Sequence, residues 1–170
     1  MNKMNMDPEK LLSMEQEWKL QRPELPVEDA ALIGLLTGAG LKLITIGEHA
    51  LKPFDLITSE HDLLACLRRK GKPFAATPKQ LLDEMLITSG ALTSLANRLI
   101  KRGLVSRWND INDRRSKQLA LTSKGKQLID EITTSRYQLC SKLIEKLTVV
   151  EKKQIKNLLV KLLKAISDVP

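Results

Sequence analysis

The residues best equipped for chemistry lie between positions 77 and 126, and what they suit is recognition. Thr88, Ser89, Gly90, Thr93, Ser94, Asn97 and Lys101 recur at helical spacing, with Arg98 at the edge of the same face. Short hydroxyls and amides both donate and accept hydrogen bonds, and Lys101 adds a fixed positive charge. Leu92, Leu95, Ala96, Leu99 and Ile100 fill the opposite face at i, i+3, i+4, i+7, i+8 spacing. One side of such a helix seats it in a core, and the other presents small polar groups to a partner. Farther along, Arg114 and Arg115 stand together in an Asn/Asp-rich break between two alternating stretches, at or near the tip of a predicted hairpin.

The elements that must position these groups announce themselves by their ends. Thr77-Pro78-Lys79-Gln80 is a capping box with proline at N1, opening a short helix whose stripe is Leu81, Leu82 and Met85. Thr88 or Ser89 caps the helix that carries the polar face. Gly103 ends it as a C′ glycine, and Leu104-Val105 begins an extended run to Trp108. After Asn109-Asp110-Ile111-Asn112-Asp113 the chain resumes its alternation as Lys117-Gln118-Leu119-Ala120-Leu121. Two helices in tandem followed by a basic-tipped hairpin are expected to grip duplex DNA.

Charge points the same way. Residues 61–126 hold 14 Lys/Arg against 5 Asp/Glu, whereas residues 1–60 hold 6 against 10 and residues 127–170 hold 8 against 5. The overall excess of +8 is thus concentrated on the helix pair and hairpin, the footprint expected for a phosphate partner. No HExxH, GxGxxG, GxSxG or Walker pattern is present, and two histidines leave little for acid–base or metal work, so no enzyme, cofactor or metal site is expected. Cys66 and Cys140 lie far apart and outside any CxxC, which suggests neither zinc nor a disulfide framework; both read as buried small hydrophobes. No run is expected to be long and apolar enough to cross a membrane, and the N-terminus lacks a signal-peptide pattern, which predicts a cytoplasmic protein.

At 170 residues the chain allows one domain, or one domain plus an oligomerisation element. An acidic helix is predicted over residues 7 to about 21, broken by Arg22-Pro23-Glu24-Leu25-Pro26. A longer one runs from Val27 to about Leu51, where Gly34, Gly38 and Gly40 each weaken propensity by roughly 1 kcal/mol unless another helix packs closely there. Thr58 or Ser59 starts the next, which ends in Arg68-Arg69-Lys70-Gly71, and Phe74-Ala75-Ala76 adds a short strand. Helices are then expected from Ser123 to about Leu147 and, behind a second capping box at Thr148-Val149-Val150-Glu151, to about Ser167. Their stripe of Leu143, Leu147, Val150, Ile155, Leu158, Leu159, Leu162, Leu163 and Ile166 is too long for a small winged domain to cover, and homodimerisation buries it most simply. The expected fold is mainly α with a small β-hairpin wing: dimerisation helices at 1–54, a winged helix-turn-helix at 55–122, and dimerisation helices at 123–170.

The chain resembles the MarR-type transcriptional regulators over roughly residues 55–130. The resemblance is carried by Ile87-Thr88-Ser89-Gly90-Ala91-Leu92-Thr93, Arg98-Leu99-Ile100-Lys101-Arg102-Gly103-Leu104-Val105, Asn112-Asp113-Arg114-Arg115-Ser116 and Leu119-Ala120-Leu121-Thr122-Ser123-Lys124-Gly125. It implies a dimer that represses transcription from a pseudo-palindromic operator and releases the DNA on binding a small effector. By matching position, the helix bearing Thr88, Ser89, Thr93, Ser94, Asn97, Arg98 and Lys101 would enter the major groove. Arg115 would enter the minor groove, Arg114 and Lys117 would meet phosphates, and Asp113 would brace the wing. Trp18, Arg22-Pro23-Glu24-Leu25 and Asp62 are similar to a branch that answers to urate and related anions, which marks Trp18 and Asp62 as effector contacts. That branch has an arginine where this chain has Leu95. Two alternatives accompany the resemblance: a thiol-based redox sensor of the same fold, and a DNA-free protein-interaction module.

Overall fold

The computed structural model describes residues 7–109 and 117–168, the side chains of Trp108, Asn109 and Lys117 excepted. Its elements run α1 (Pro8–Gln21), α2 (Val27–Leu51), a 3-10 turn (Lys52–Phe54), α3 (Thr58–Arg69), β1 (Ala75–Ala76), α4 (Pro78–Met85), α5 (Ser89–Lys101), β2 (Val105–Asn109), β3 (Lys117–Leu121), α6 (Ser123–Leu143) and α7 (Val149–Ser167). The chain divides into two compact units, residues 1–58 and 59–170.

In the first unit Asp7 caps α1, its carboxylate accepting from the Glu9 amide at 3.1 Å, and Pro8 takes the first helical position. Leu11 of α1 faces Gly34, and Gly38 is buried, so close packing offsets two of the three α2 glycines. Gly40 faces open space, so no packing within the single chain compensates there. Thr37 and Thr45 donate their hydroxyls to the carbonyls of Ile33 and Leu41, which satisfies two polar groups within a largely apolar helix. The stretch Val27–Phe54 is long and apolar enough, by length and composition, to cross a membrane. This corrects the expectation that no run qualifies: the interspersed threonines and glycines break the apolar run in the sequence, but lower its hydropathy little.

The second unit holds the winged helix-turn-helix. Leu63, Leu64 and Leu67 of α3 are fully buried, as are Leu81 of α4, Leu99 of α5 and Ile129 and Ile132 of α6. Each such side chain contributes roughly 1.5–3 kcal/mol of transfer free energy before chain entropy is counted. The sheet is antiparallel in the order β1-β3-β2, with Ala75 opposite Ala120 and Val105 opposite Leu121. Gly103 follows α5 at φ +71°, a conformation open to glycine, and lets the chain turn into β2. Thr122 then caps α6, accepting from the Gly125 amide at 3.0 Å while donating to the Gly103 carbonyl at 2.7 Å. Gly125 lies so close to that turn that a Cβ would stand 2.0 Å from the Leu104 carbonyl oxygen.

Two expectations about the C-terminal helices need adjustment. The first of them, α6, ends at Leu143 and not near Leu147. Residues 144–147 are taken by a turn that brings Thr148 into the extended conformation required of the α7 N-cap. The predicted capping box is there, Thr148 and Glu151 each satisfying the other's amide. No residue of α7 is buried.

Candidate nucleic-acid interface

The interface is assembled by caps. The Gln80 amide donates to Thr77 Oγ1 at 3.3 Å and the Thr77 amide to Gln80 Oε1 at 2.9 Å, so α4 starts where its sequence demands. Leu86 ends it in a left-handed conformation, φ 52°. Thr88 then accepts from the Ala91 amide at 3.3 Å and opens α5, resolving the choice between Thr88 and Ser89 as cap. From that start the register of α5 is set. Leu92, Leu95, Ala96 and Leu99 are buried, whereas Thr88, Ser89, Gly90, Thr93, Ser94, Asn97, Arg98 and Lys101 are exposed. The structure therefore gathers the described polar residues onto one surface.

Several of them are already engaged. Thr93 donates its hydroxyl to the Ser89 carbonyl at 2.9 Å. Arg98 Nε donates to Glu60 Oε1 at 3.1 Å, and Arg102 Nη1 lies 3.6 Å from the other oxygen of the same carboxylate. Glu60 is buried, a location a carboxylate tolerates only with cationic and hydrogen-bonding partners. It joins the first turn of α3 to the last turns of α5. Asn97 Oδ1 accepts from Arg107 Nη2 at 3.1 Å, joining α5 to β2. Neither Glu60 nor Arg107 was singled out in the sequence. Arg107 carried a usable signal, being a charge on the row of β2 that begins with the apolar Val105.

The hairpin closes with Asn109 opposite Lys117. Lys117 opens β3, while Asp113, Arg114 and Arg115 lie outside the described residues.

Behind the reading pair, Lys70 and Arg69 both hydrogen-bond the Glu84 carboxylate and hold its carboxyl down to about 2. Burial, reinforced by Glu84, pushes the neighbouring Cys66 thiol up to about 11. Cys66 is buried and unpaired, as expected of a small hydrophobe. Cys140 is exposed on α6, which corrects the expectation that it is buried. Leu95, where the urate-responsive branch has arginine, is a core residue.

The two effector candidates fall in different units. Trp18, half exposed, lines a groove of about 390 Å³ with Leu11, Met14, Leu25 and Val27, where Glu15 supplies the charge. Asp62 lies inside α3, its Oδ1 3.0 Å from His61 Nδ1. Among the described residues no group of His, Cys, Asp or Glu is arranged to hold a metal ion.

Comparison with known proteins agrees with this architecture. A family model described as MarR family matches residues 54–116. The HTH-type transcriptional regulator PecS of Dickeya dadantii (strain 3937) is 35% identical over 117 residues, spanning 69% of this chain and 70% of PecS. The reduced form of MarR from E. coli matches with a TM-score of 0.63 at 27% identity, over 76% of this chain and 93% of that one. A mutant E. coli MarR complexed with operator DNA shares the fold, with a TM-score of 0.65 at 24% identity over 86% and 97% of the two chains. Carrying a winged helix-turn-helix and aligned with PecS over more than two thirds of that regulator, the chain belongs to the MarR family of transcriptional regulators.

Proposed function

We propose that the protein is a cytoplasmic, DNA-binding repressor that acts as a homodimer on a pseudo-palindromic operator and is released by a small-molecule effector. The carrying observation is the partition of α5: one face is built into the core and the other exposes short polar and basic side chains together with Ala91. Thr88, Ser89, Thr93, Ser94, Arg98 and Lys101 supply groove and phosphate contacts from that face. Arg114, Arg115 and Lys117 supply them from the wing, and Asp113 braces it.

The exposed leucines of α7 and the apolar surface of α2 favour a second copy of the chain as their cover. Burial between two copies also accounts for the hydropathy of α2 without a membrane. Nothing in this arrangement calls for catalysis. The effector is proposed to enter the Trp18 groove, whose apolar walls favour an uncharged or weakly charged guest. Asp62 is kept as a second candidate contact.

The test is a titration of a labelled random-sequence duplex across a range of KCl concentrations. Each neutralised phosphate contributes about −0.9 to the slope of log K against log salt. A steep slope is expected, made shallower by about 0.9 in Lys101→Ala. A flat line would discard the DNA reader in favour of the protein-interaction alternative.

A further inference from the structure

Arg107 breaks the pattern of the strand that holds it. In the β2–β3 pairing Val105 is opposite Leu121 and Arg107 opposite Leu119. Directly paired residues share a face of the sheet, and Val105, Leu119 and Leu121 are all buried. The row is therefore apolar until it reaches an exposed arginine, a residue type whose stem can lie along apolar neighbours while its head reaches solvent. Arg107 lines a crevice of about 160 Å³ between α5 and the wing, together with the polar Thr93, Asn97 and Gln118 and the apolar Leu92 and Leu119. There Nη2 donates to Asn97 Oδ1 at 3.1 Å.

That contact decides what Asn97 has left to offer. A guanidinium carries donors only, so the amide atom facing it must be the oxygen. The carbonyl edge of Asn97 is thus turned toward the wing. Paired recognition of adenine needs the amide oxygen and nitrogen side by side on the base edge. Asn97 also stands in the third turn of α5, whereas recognition helices of this kind present their N-terminal residues to the bases.

We propose that Asn97 is a positioning residue: by accepting from Arg107 it sets the wing strands against the recognition helix, and it does not read DNA itself. The inference rests on the DNA-reading function above and adds a division of labour within it. The outer residues of α5 contact the duplex, and the Asn97–Arg107 strut fixes where the basic wing falls beside them.

Four variants separate the roles: Asn97→Ala, Arg107→Ala, the double substitution, and Asn97→Asp. The aspartate keeps an acceptor for Arg107 but brings negative charge toward any phosphate that Asn97 faces. Affinity is measured on the duplex that wild-type protein enriches from a random-sequence pool, and amide hydrogen exchange is followed in the free protein over 105–109 and 117–121. Each alanine variant is expected to lose about tenfold in affinity, the scale of one charge-assisted hydrogen bond, with no change in salt slope. The double variant loses no more than either single, because both remove the same contact. Asn97→Asp stays within about twofold of wild type, a rescue that a direct DNA contact forbids. Wing exchange accelerates in the alanine variants and not in Asn97→Asp. The inference is overturned if Asn97→Asp binds more weakly than Asn97→Ala, if the two alanine losses add, or if wing exchange is the same in all four. Should wild-type protein enrich no duplex, the DNA reader itself fails, and the exchange measurement then decides the strut alone.

Discussion

In the winged region Leu63, Leu64 and Leu99 are sealed from solvent and the polar residues of α5 face outward. In α7 the arrangement is inverted: Val150, Leu158 and Leu163 are each more than 60% exposed, on a helix that its own capping box starts cleanly. Both regions obey the same local rules of capping and periodicity. They differ in whether the apolar face finds a partner within the chain. A face that finds one is sealed into the reader's core, and a face that does not is the surface on which we propose that a second copy docks.

The sharpest way to break the winged region is at Gly125. An alanine Cβ there would meet the Leu104 carbonyl oxygen, a backbone atom that cannot swing aside. Gly125→Ala is expected to cost about 3 kcal/mol or to prevent folding, read from the loss of thermal stability. The control lies in α2, where Gly40 has nothing within 4 Å. Gly40→Ala should stabilise by roughly 0.5–1 kcal/mol through helix propensity alone. Equal effects at the two glycines would erase the difference between the regions.

The next largest effect is expected in α7. Leu158→Lys with Leu163→Lys should convert a dimer to monomer by sedimentation velocity while leaving the far-UV helical signal intact. A protein whose mass in solution does not change would show that the α7 face is covered in some other way.

A smaller effect comes from Glu84. Its carboxyl titrates near 2 in the folded protein and near 4.5 when unfolded, so the unfolded chain takes up the extra proton in acid. The stabilisation is complete above pH 4.5 and is lost as pH falls toward 2. Glu84→Gln should flatten that part of the Tm profile, whereas Glu151→Gln, on the exposed α7 cap, should alter it less.

The smallest change is expected at Cys66. With its thiol buried and titrating near 11, it should resist alkylation at neutral pH until the chain unfolds. Rapid labelling of Cys66 in native protein would revive the redox alternative.

What was legible in the sequence was local. Thr77 with Gln80, Thr88, and Thr148 with Glu151 mark helix starts because the cap and the amide it satisfies lie within three residues, and Gly103 marks a helix end because its left-handed φ favours glycine. The two faces of α5 were legible because helical periodicity sorts residues before any tertiary contact forms. What remained hidden was non-local. Glu60 meets Arg98 across 38 residues of chain, and Gly125 matters because of a carbonyl at Leu104. Cys140 sits near Leu139 and Leu143 in sequence, yet its own side of α6 faces out. The apolar content of α2 is masked in the sequence because its glycines and threonines interrupt the run without making the helix polar.

The most direct test of a dimeric DNA reader is selection of bound duplexes from a random-sequence pool at near-physiological salt. Two copies of α5 related by a two-fold axis should enrich a pseudo-palindrome whose half-sites lie about 34–36 Å, or one turn, apart. Enrichment of a single half-site would contradict the dimer. No enrichment at all would contradict the reading of α5 as a recognition helix.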